Sequence, residues 1–169
     1  MNNPNFKEFL RITEALNQVN IIPLLMGSVG LELLTGVDWQ ARDLDIHVPG
    51  DDRGWAVPPD QNVFEWPKIV DVMVSLGYQL VDLHEHEFMK EGLSVEFGII
   101  DTLPSFAGIP LAELMLQQVE NSKYYLLNHE QYLKVYQASS KDSYRADQNN
   151  DKDREKITYL HKGGNHAKE

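Results

Sequence analysis

The sequence predicts an α/β protein, with strands interleaved among amphipathic helices. Three observations carry this. Apolar runs of strand length alternate with segments of helical periodicity along most of the 169 residues. Glycine, proline and asparagine punctuate the boundaries between them. The stretch 24–48 holds two such strands, the first ending at a Gly-Ser turn and the second opening on two carboxylates.

That stretch organises the rest. Ile21 to Met26 is an apolar run bounded by Asn20 and Gly27, as in a buried strand, although Pro23 is awkward in a central one. Val29 to Thr35 reads as a short helix closed by Gly36, and Asp43 to Val48 as the second strand. Residues i and i+2 of a strand share a face, so Asp43 and Asp45 project together and leave Leu44 and Ile46 to the core. Two carboxylates this close repel unless a cation sits between them, and Mg²⁺ is commonly held by one or two carboxylates plus phosphate oxygens. Gly27 and Ser28 at a helix start offer amide donors and a hydroxyl, which suit a phosphate. Either feature alone is weak: Asp-x-Asp recurs by chance in an acidic chain, and Gly-Ser is usually a turn.

The other elements follow in order. Asn3-Pro4 is a cap and first-turn signal, and Phe6, Phe9, Leu10, Leu16 and Val19 make 4–19 an amphipathic helix. Residues 49–65, rich in Pro, Gly and Asp, form a loop. Its aromatic residues, Trp55 and Phe64, with Trp66 just beyond, either pack it onto the body or make it a flap that stacks on a ligand. Pro67 opens a helix through Leu76 that Gly77 ends. Tyr78 to Leu83 alternates like a strand. His84-Glu85-His86-Glu87 suggests a metal cluster, but a solvated hairpin end is the preferred reading. Phe88 to Lys90, the Glu91-Gly92 turn and Leu93 to Ile100 complete a hairpin. After Leu103-Pro104 the pattern turns helical. Leu111 to Val119 reads as a helix and Lys123 to Leu127 as a short strand. Asn128 to Gln131 reads as a capping box opening a helix with Tyr132, Leu133, Val135 and Tyr136. A polar loop over 139–150, a last helix over 151–160 and a frayed tail from Gly163 close the chain. This divides it into a core over 1–105, a helical part over 106–162 packed on that core, and a flexible tail over 163–169.

Composition narrows the function. With 42% hydrophobic residues the chain can bury a core. No run of eighteen apolar residues suggests a membrane span, and the N-terminus lacks a signal-peptide pattern. Zero cysteines exclude disulfides and thiolate metal sites, which fits a cytoplasmic protein. A formal net charge of −11 disfavours broad binding of long nucleic acid.

A third carboxylate gives the first two more weight. Glu96 sits between Val95 and Phe97 in the last strand of the hairpin and faces away from both; Asp101 is its rival. Together, Leu25-Met26-Gly27-Ser28, Asp43-Leu44-Asp45-Ile46 and Val95-Glu96-Phe97 resemble the signature of the nucleotidyltransferase superfamily, which includes DNA polymerase beta and the kanamycin-type nucleotidyltransferases. The helix from Asn128 to Lys134 and the Lys152-Asp153-Arg154 segment are similar to C-terminal features of that family. One departure is the spacing: fourteen residues separate Ser28 from Asp43.

The resemblance implies a mixed sheet with flanking helices and a helical C-terminal part. It implies transfer of a nucleoside monophosphate from a triphosphate such as ATP to an acceptor hydroxyl on a small molecule, an RNA end or a protein. Asp43, Asp45 and Glu96 would be the catalytic residues and the ligands of Mg²⁺ or Mn²⁺. Gly27, Ser28 and Arg42 would bind the nucleotide, with Lys134 and Lys152 as phosphate partners unless they are simply solvated helix positions. Two other functions remain open: a binding module of this fold without turnover, for example the partner of a toxin, and a plain α/β interaction domain.

Overall fold

Side-chain alternation decides how the sheet is covered. In the strand Leu44–Val48, Leu44, Ile46 and Val48 are fully buried, while Asp45 and His47 between them are only partly so. Leu93–Ile99 repeats the pattern, with Val95, Phe97 and Ile99 buried and Glu96 exposed. Each strand therefore has one core face and one open face. The computed structural model describes residues 3–141 and 154–162.

The strands are β1 Leu24–Met26, β2 Leu44–Val48, β3 Gln79–Asp82, β4 Glu87–Lys90, β5 Leu93–Ile99, β6 Met115–Val119 and β7 Ser122–Leu126. They form one seven-stranded sheet in the order β3-β4-β5-β2-β1-β7-β6. The sheet is mixed: β2 runs parallel to β5 and β1 parallel to β7, and the other pairs are antiparallel. The helices are α1 Pro4–Gln18, α2 Gly27–Thr35, α3 Trp66–Ser75, α4 Leu103–Ala107, α5 His129–Lys141 and α6 over 154–162. The α/β class and the mixed sheet with flanking helices are thus as expected.

Two cores lie on the sheet. Phe9, Ile12 and Leu16 of α1 and Ile69, Val72 and Met73 of α3 pack on the apolar face of β2 and β5. Leu31 of α2, Leu103 of α4, Tyr132, Val135 and Tyr136 of α5 and Leu160 of α6 pack with Leu24 and Met26 of β1. β1 is central and buried along its whole length. Pro23 lies just before it, where its missing N–H costs no ladder bond; its carbonyl accepts from Tyr125 N at 2.8 Å.

Local signals hold where side-chain chemistry closes on the backbone. Asn3 Oδ1 accepts from Asn5 N and Phe6 N at 3.0 and 3.2 Å, capping α1. The box at α5 is reciprocal: Gln131 N donates to Asn128 Oδ1 at 2.8 Å and Asn128 N to Gln131 Oε1 at 3.0 Å. Two expectations need correction, and one open alternative is divided by the structure. Residues 111–119 are not a helix: after one turn at Leu111–Glu113, β6 pairs with β7 and extends the sheet. His86 is not solvated: it is fully buried, with Nε2 donating to the Pro59 carbonyl at 2.7 Å, while His84 stays exposed. In the 49–65 region the rings divide. Trp66 is buried, Phe64 is 60% exposed, and Trp55, 58% exposed, stacks on His84 and His86. The last helix is described over 154–162; most of the polar loop, Lys152, Asp153 and the tail lie outside the described residues. Among the described residues no helix is long and apolar enough to cross a membrane.

One glycine tests this packing against propensity. Gly30 lies within α2, where alanine alone would favour the helix by about 1 kcal/mol. A Cβ there would fall on the Tyr132 hydroxyl and press on Leu25 O at 3.2 Å. Gly30→Ala is therefore expected to destabilise the protein by about 1–3 kcal/mol, the scale of overpacking. A lowered urea midpoint at unchanged slope is the expected readout.

Candidate active site

The second core covers the sheet only over β1 and β7. On the same side, β2 and β5 are left uncovered, and their polar residues line an open cleft of about 730 Å³. That is ample for a nucleotide-sized ligand. Gly27, Ser28, Arg42, Asp43, Asp45 and Glu96 all line it, so six of the residues singled out in the sequence converge. Lys134, half-buried on α5, is not among the lining residues. Asp101 is also elsewhere: its Oδ1 accepts from Gly50 N at 2.9 Å and ties down the loop after β2.

The carboxylates are brought together by register. Asp45 and Glu96 are directly paired positions of the parallel β2–β5 ladder, and Glu87 is paired with Glu96 on its other side. Glu96 is exposed at the cleft, yet its carboxyl is pushed up to about 7. Partial loss of hydration against the sheet is the largest cause, followed by the negative charges of Asp45, Glu87, Glu85 and Asp43. Asp43, just ahead of β2, is thus the outlying member of the three. Among the described residues, no three His, Asp or Glu side chains are grouped as a ready-made ion cage.

The other wall is the start of α2. Gly27 has φ 67, and a Cβ there would come within 2.9 Å of Asp45 Cβ, so glycine is required both for backbone and for space. Tyr132, buried on α5, donates its hydroxyl to the Gly27 carbonyl at 3.2 Å and fixes the turn. The N-cap residue Met26 makes no side-chain cap bond, so the start of α2 presents backbone N–H groups suited to an anion. Ser28 Oγ accepts from Lys156 Nζ at 2.8 Å, and the same ammonium lies 5.1 Å from the Tyr136 ring centroid.

Two residues of the site escaped the sequence reading. Lys156 is the cation that meets Ser28; it stands four residues beyond Lys152 in the sequence, a spacing that the helix predicted over 151–160 would put on one face. His47 follows Asp45 by two residues and so shares its face; its Nε2 lies 3.4 Å from Asp45 Oδ1. Gly98, paired with His47 across the ladder, leaves room for the ring, because a Cβ there would strike the imidazole.

The donors suit a hard cation. They are carboxylate oxygens with one neighbouring imidazole, and Glu96 is raised first by lost hydration and then by the negative charges around it. Mg²⁺ or Mn²⁺ needs only one or two protein carboxylates when phosphate oxygens complete its shell, so a preformed cage is not required. Asp45 and Glu96, with Asp43 beside them, fit that demand.

Over 161 residues the chain is 37% identical to the uncharacterized protein YnaI of Bacillus subtilis (strain 168), covering 93% of this chain and 96% of that one. No protein-family model and no solved structure matches the chain.

The electrostatics predict a pH signature. A carboxyl raised in the folded state contributes stability that is fully present below its unfolded value and lost as pH rises through about 7. Glu96→Gln should therefore match the wild type near pH 4 and exceed it at pH 8. Solvent reaches the group, so the gain should be about 1 kcal/mol or less. Thermal melts of both proteins across that range read it directly; a variant less stable at pH 8 would mean that Glu96 has a structural partner.

Proposed function

The chain belongs to the same family as YnaI of Bacillus subtilis, and from its cleft we propose a Mg²⁺- or Mn²⁺-dependent nucleotidyltransferase. It would transfer a nucleoside monophosphate from a nucleoside triphosphate to an acceptor hydroxyl. The observation that carries this reading is the placement of the Asp45–Glu96 pair beside the uncapped start of α2, with Lys156 on Ser28. The Asp45 and Glu96 carboxylates and the polar groups of Gly27, Ser28 and Lys156 line one cleft, which supports a cation-bridged phosphate ligand. The resemblance of the Gly27-Ser28, Asp43-x-Asp45 and Glu96 motifs to the nucleotidyltransferase superfamily points the same way.

The residues would divide the work as follows. The amides at Gly27 and Ser28, the Ser28 hydroxyl and Lys156 would hold the outer phosphates, with Arg42 at the rim. Asp43, Asp45 and Glu96 would hold the cation, which neutralises charge on the triphosphate when bound. The acceptor oxygen would attack the α-phosphorus, the bond to the bridging oxygen of the β-phosphate would break, and pyrophosphate would leave. Glu96 would either complete the cation site or, where it does not ligate the cation, receive the hydroxyl proton. His47 would orient Asp45 through its Nε2 contact.

The test has two parts. A nucleoside triphosphate should raise the melting temperature with Mg²⁺ or Mn²⁺ and not in chelator, since a ligand of the native state stabilises by mass action. Transfer of α-labelled nucleotide should disappear in Asp45→Asn while the fold stays as stable as the wild type or gains from relief of like charges. Stabilisation that is equal in chelator would remove the cation from the reading. Cation-dependent binding without any transfer would favour the binding module over the enzyme.

A further inference from the structure

The cleft walls are polar, with one aromatic ring among the described lining residues, that of Trp39. It sits in the segment that joins α2 to β2, and the fold fixes it with some care. Glu32, buried in α2, accepts from Trp39 N at 2.8 Å and from Ala41 N at 3.3 Å through the same oxygen. Trp39 Nε1 donates to Thr35 Oγ1 at 3.3 Å, so the indole is anchored by its polar edge. Tyr159 of α6 meets the ring edge-on at 5.4 Å between centroids, with planes at 84°. The indole remains only partly buried. An aromatic ring held at both backbone and polar edge, and still open to a cleft, is preorganised for a flat ligand.

Its position relative to the phosphate donors matters. Lys156 and Tyr159 lie three residues apart on α6, so they are neighbours on one helix face. Lys156 contacts Ser28 and Tyr159 contacts Trp39, which puts the phosphate donors and the indole along the same helix. Nucleobases stack on such rings, and a purine offers a larger π surface than a pyrimidine.

We propose that Trp39 is the platform for the base of the bound nucleoside triphosphate and gives the cleft a preference for purines. This rests on the triphosphate reading above, and the ligands that test it separate the two. Titrations of the full-length protein in Mg²⁺ with ATP, GTP, CTP, UTP and inorganic tripolyphosphate isolate the contribution of the base. The wild type should bind ATP and GTP about tenfold or more tightly than tripolyphosphate, with CTP and UTP between. Trp39→Ala should bring ATP close to tripolyphosphate and leave tripolyphosphate itself within about twofold; Trp39→Phe should keep most of the difference. Because Trp39 also packs on Tyr159, unchanged tripolyphosphate binding doubles as the check on folding. Trp39→Leu, apolar but without a π face, serves in its place if the alanine variant fails that check. A wild type that binds ATP no better than tripolyphosphate would overturn the proposal, as would an alanine variant that discriminates as well as the wild type; either result leaves the phosphate cleft standing. Binding of neither ligand would remove the cleft reading and this proposal with it.

Discussion

Everything at the site depends on the parallel register of β2 against β5. Leu44, Ile46 and Val48 are buried on one side, opposite Val95, Phe97 and Ile99 on the same side. Burying one such side chain is worth about 1.5–3 kcal/mol. Slipping β2 by one residue would turn all three toward the open face and bring Asp45 and His47 into the core. The loss would rival the whole stability of a typical domain, about 5–15 kcal/mol. The apolar residues thus set where the carboxylates stand. Asp45 and Glu96 meet because neither strand can present its other face, even though their own interaction is repulsive.

The second wall is fixed from a distance in sequence. Gly27 accepts its left-handed conformation and its approach to Asp45 Cβ because it has no side chain. Tyr132, more than a hundred residues later, holds the Gly27 carbonyl, and Gly30 leaves the space its hydroxyl occupies. α5 therefore acts as a brace for the α2 start, and α6 adds Lys156 to it. Residues near the C-terminus complete a cleft whose floor was laid by the first half of the chain.

Legibility in the sequence followed the range of the forces involved. The caps at Asn3 and Asn128, the Glu91-Gly92 hairpin turn and the strand alternation of β2 and β5 are local, and they stand as expected. Residues 111–119 read as a helix in sequence because Leu, Ala, Glu, Met and Gln are good helix formers. Pairing with β7 overrides that preference, through a two-residue turn in which Glu120 takes φ 53. His86 looked solvated because its neighbours are charged; its burial depends on Pro59, Trp55 and Trp66, none of them near in sequence. Lys156 and His47 were within reach of simple periodicity once Lys152 and Asp45 had been singled out. Convergence of Lys156 on Ser28 needed the tertiary fold.

The long span between Ser28 and Asp43 also has a physical account. α2 runs to Thr35, and Gly36, at φ 72, ends it in a left-handed cap. The residues that follow would be slack without an anchor, because extra loop length offers the backbone many alternatives. Glu32 supplies that anchor. In sequence it is a charged residue among Leu31, Leu33 and Leu34, and it is buried in the fold. One of its oxygens takes the N–H groups of Trp39 and Ala41, and the other takes the side chain of Asn3 at the head of α1. Asn5 adds a bond to the Ala41 carbonyl at 3.2 Å. A buried carboxylate is costly unless such donors surround it, and here the donors are the loop itself. Burial of Glu32 and order in the loop therefore require each other. Their joint result is that Asp43 enters β2 from a fixed direction, with Trp39 held over the same cleft.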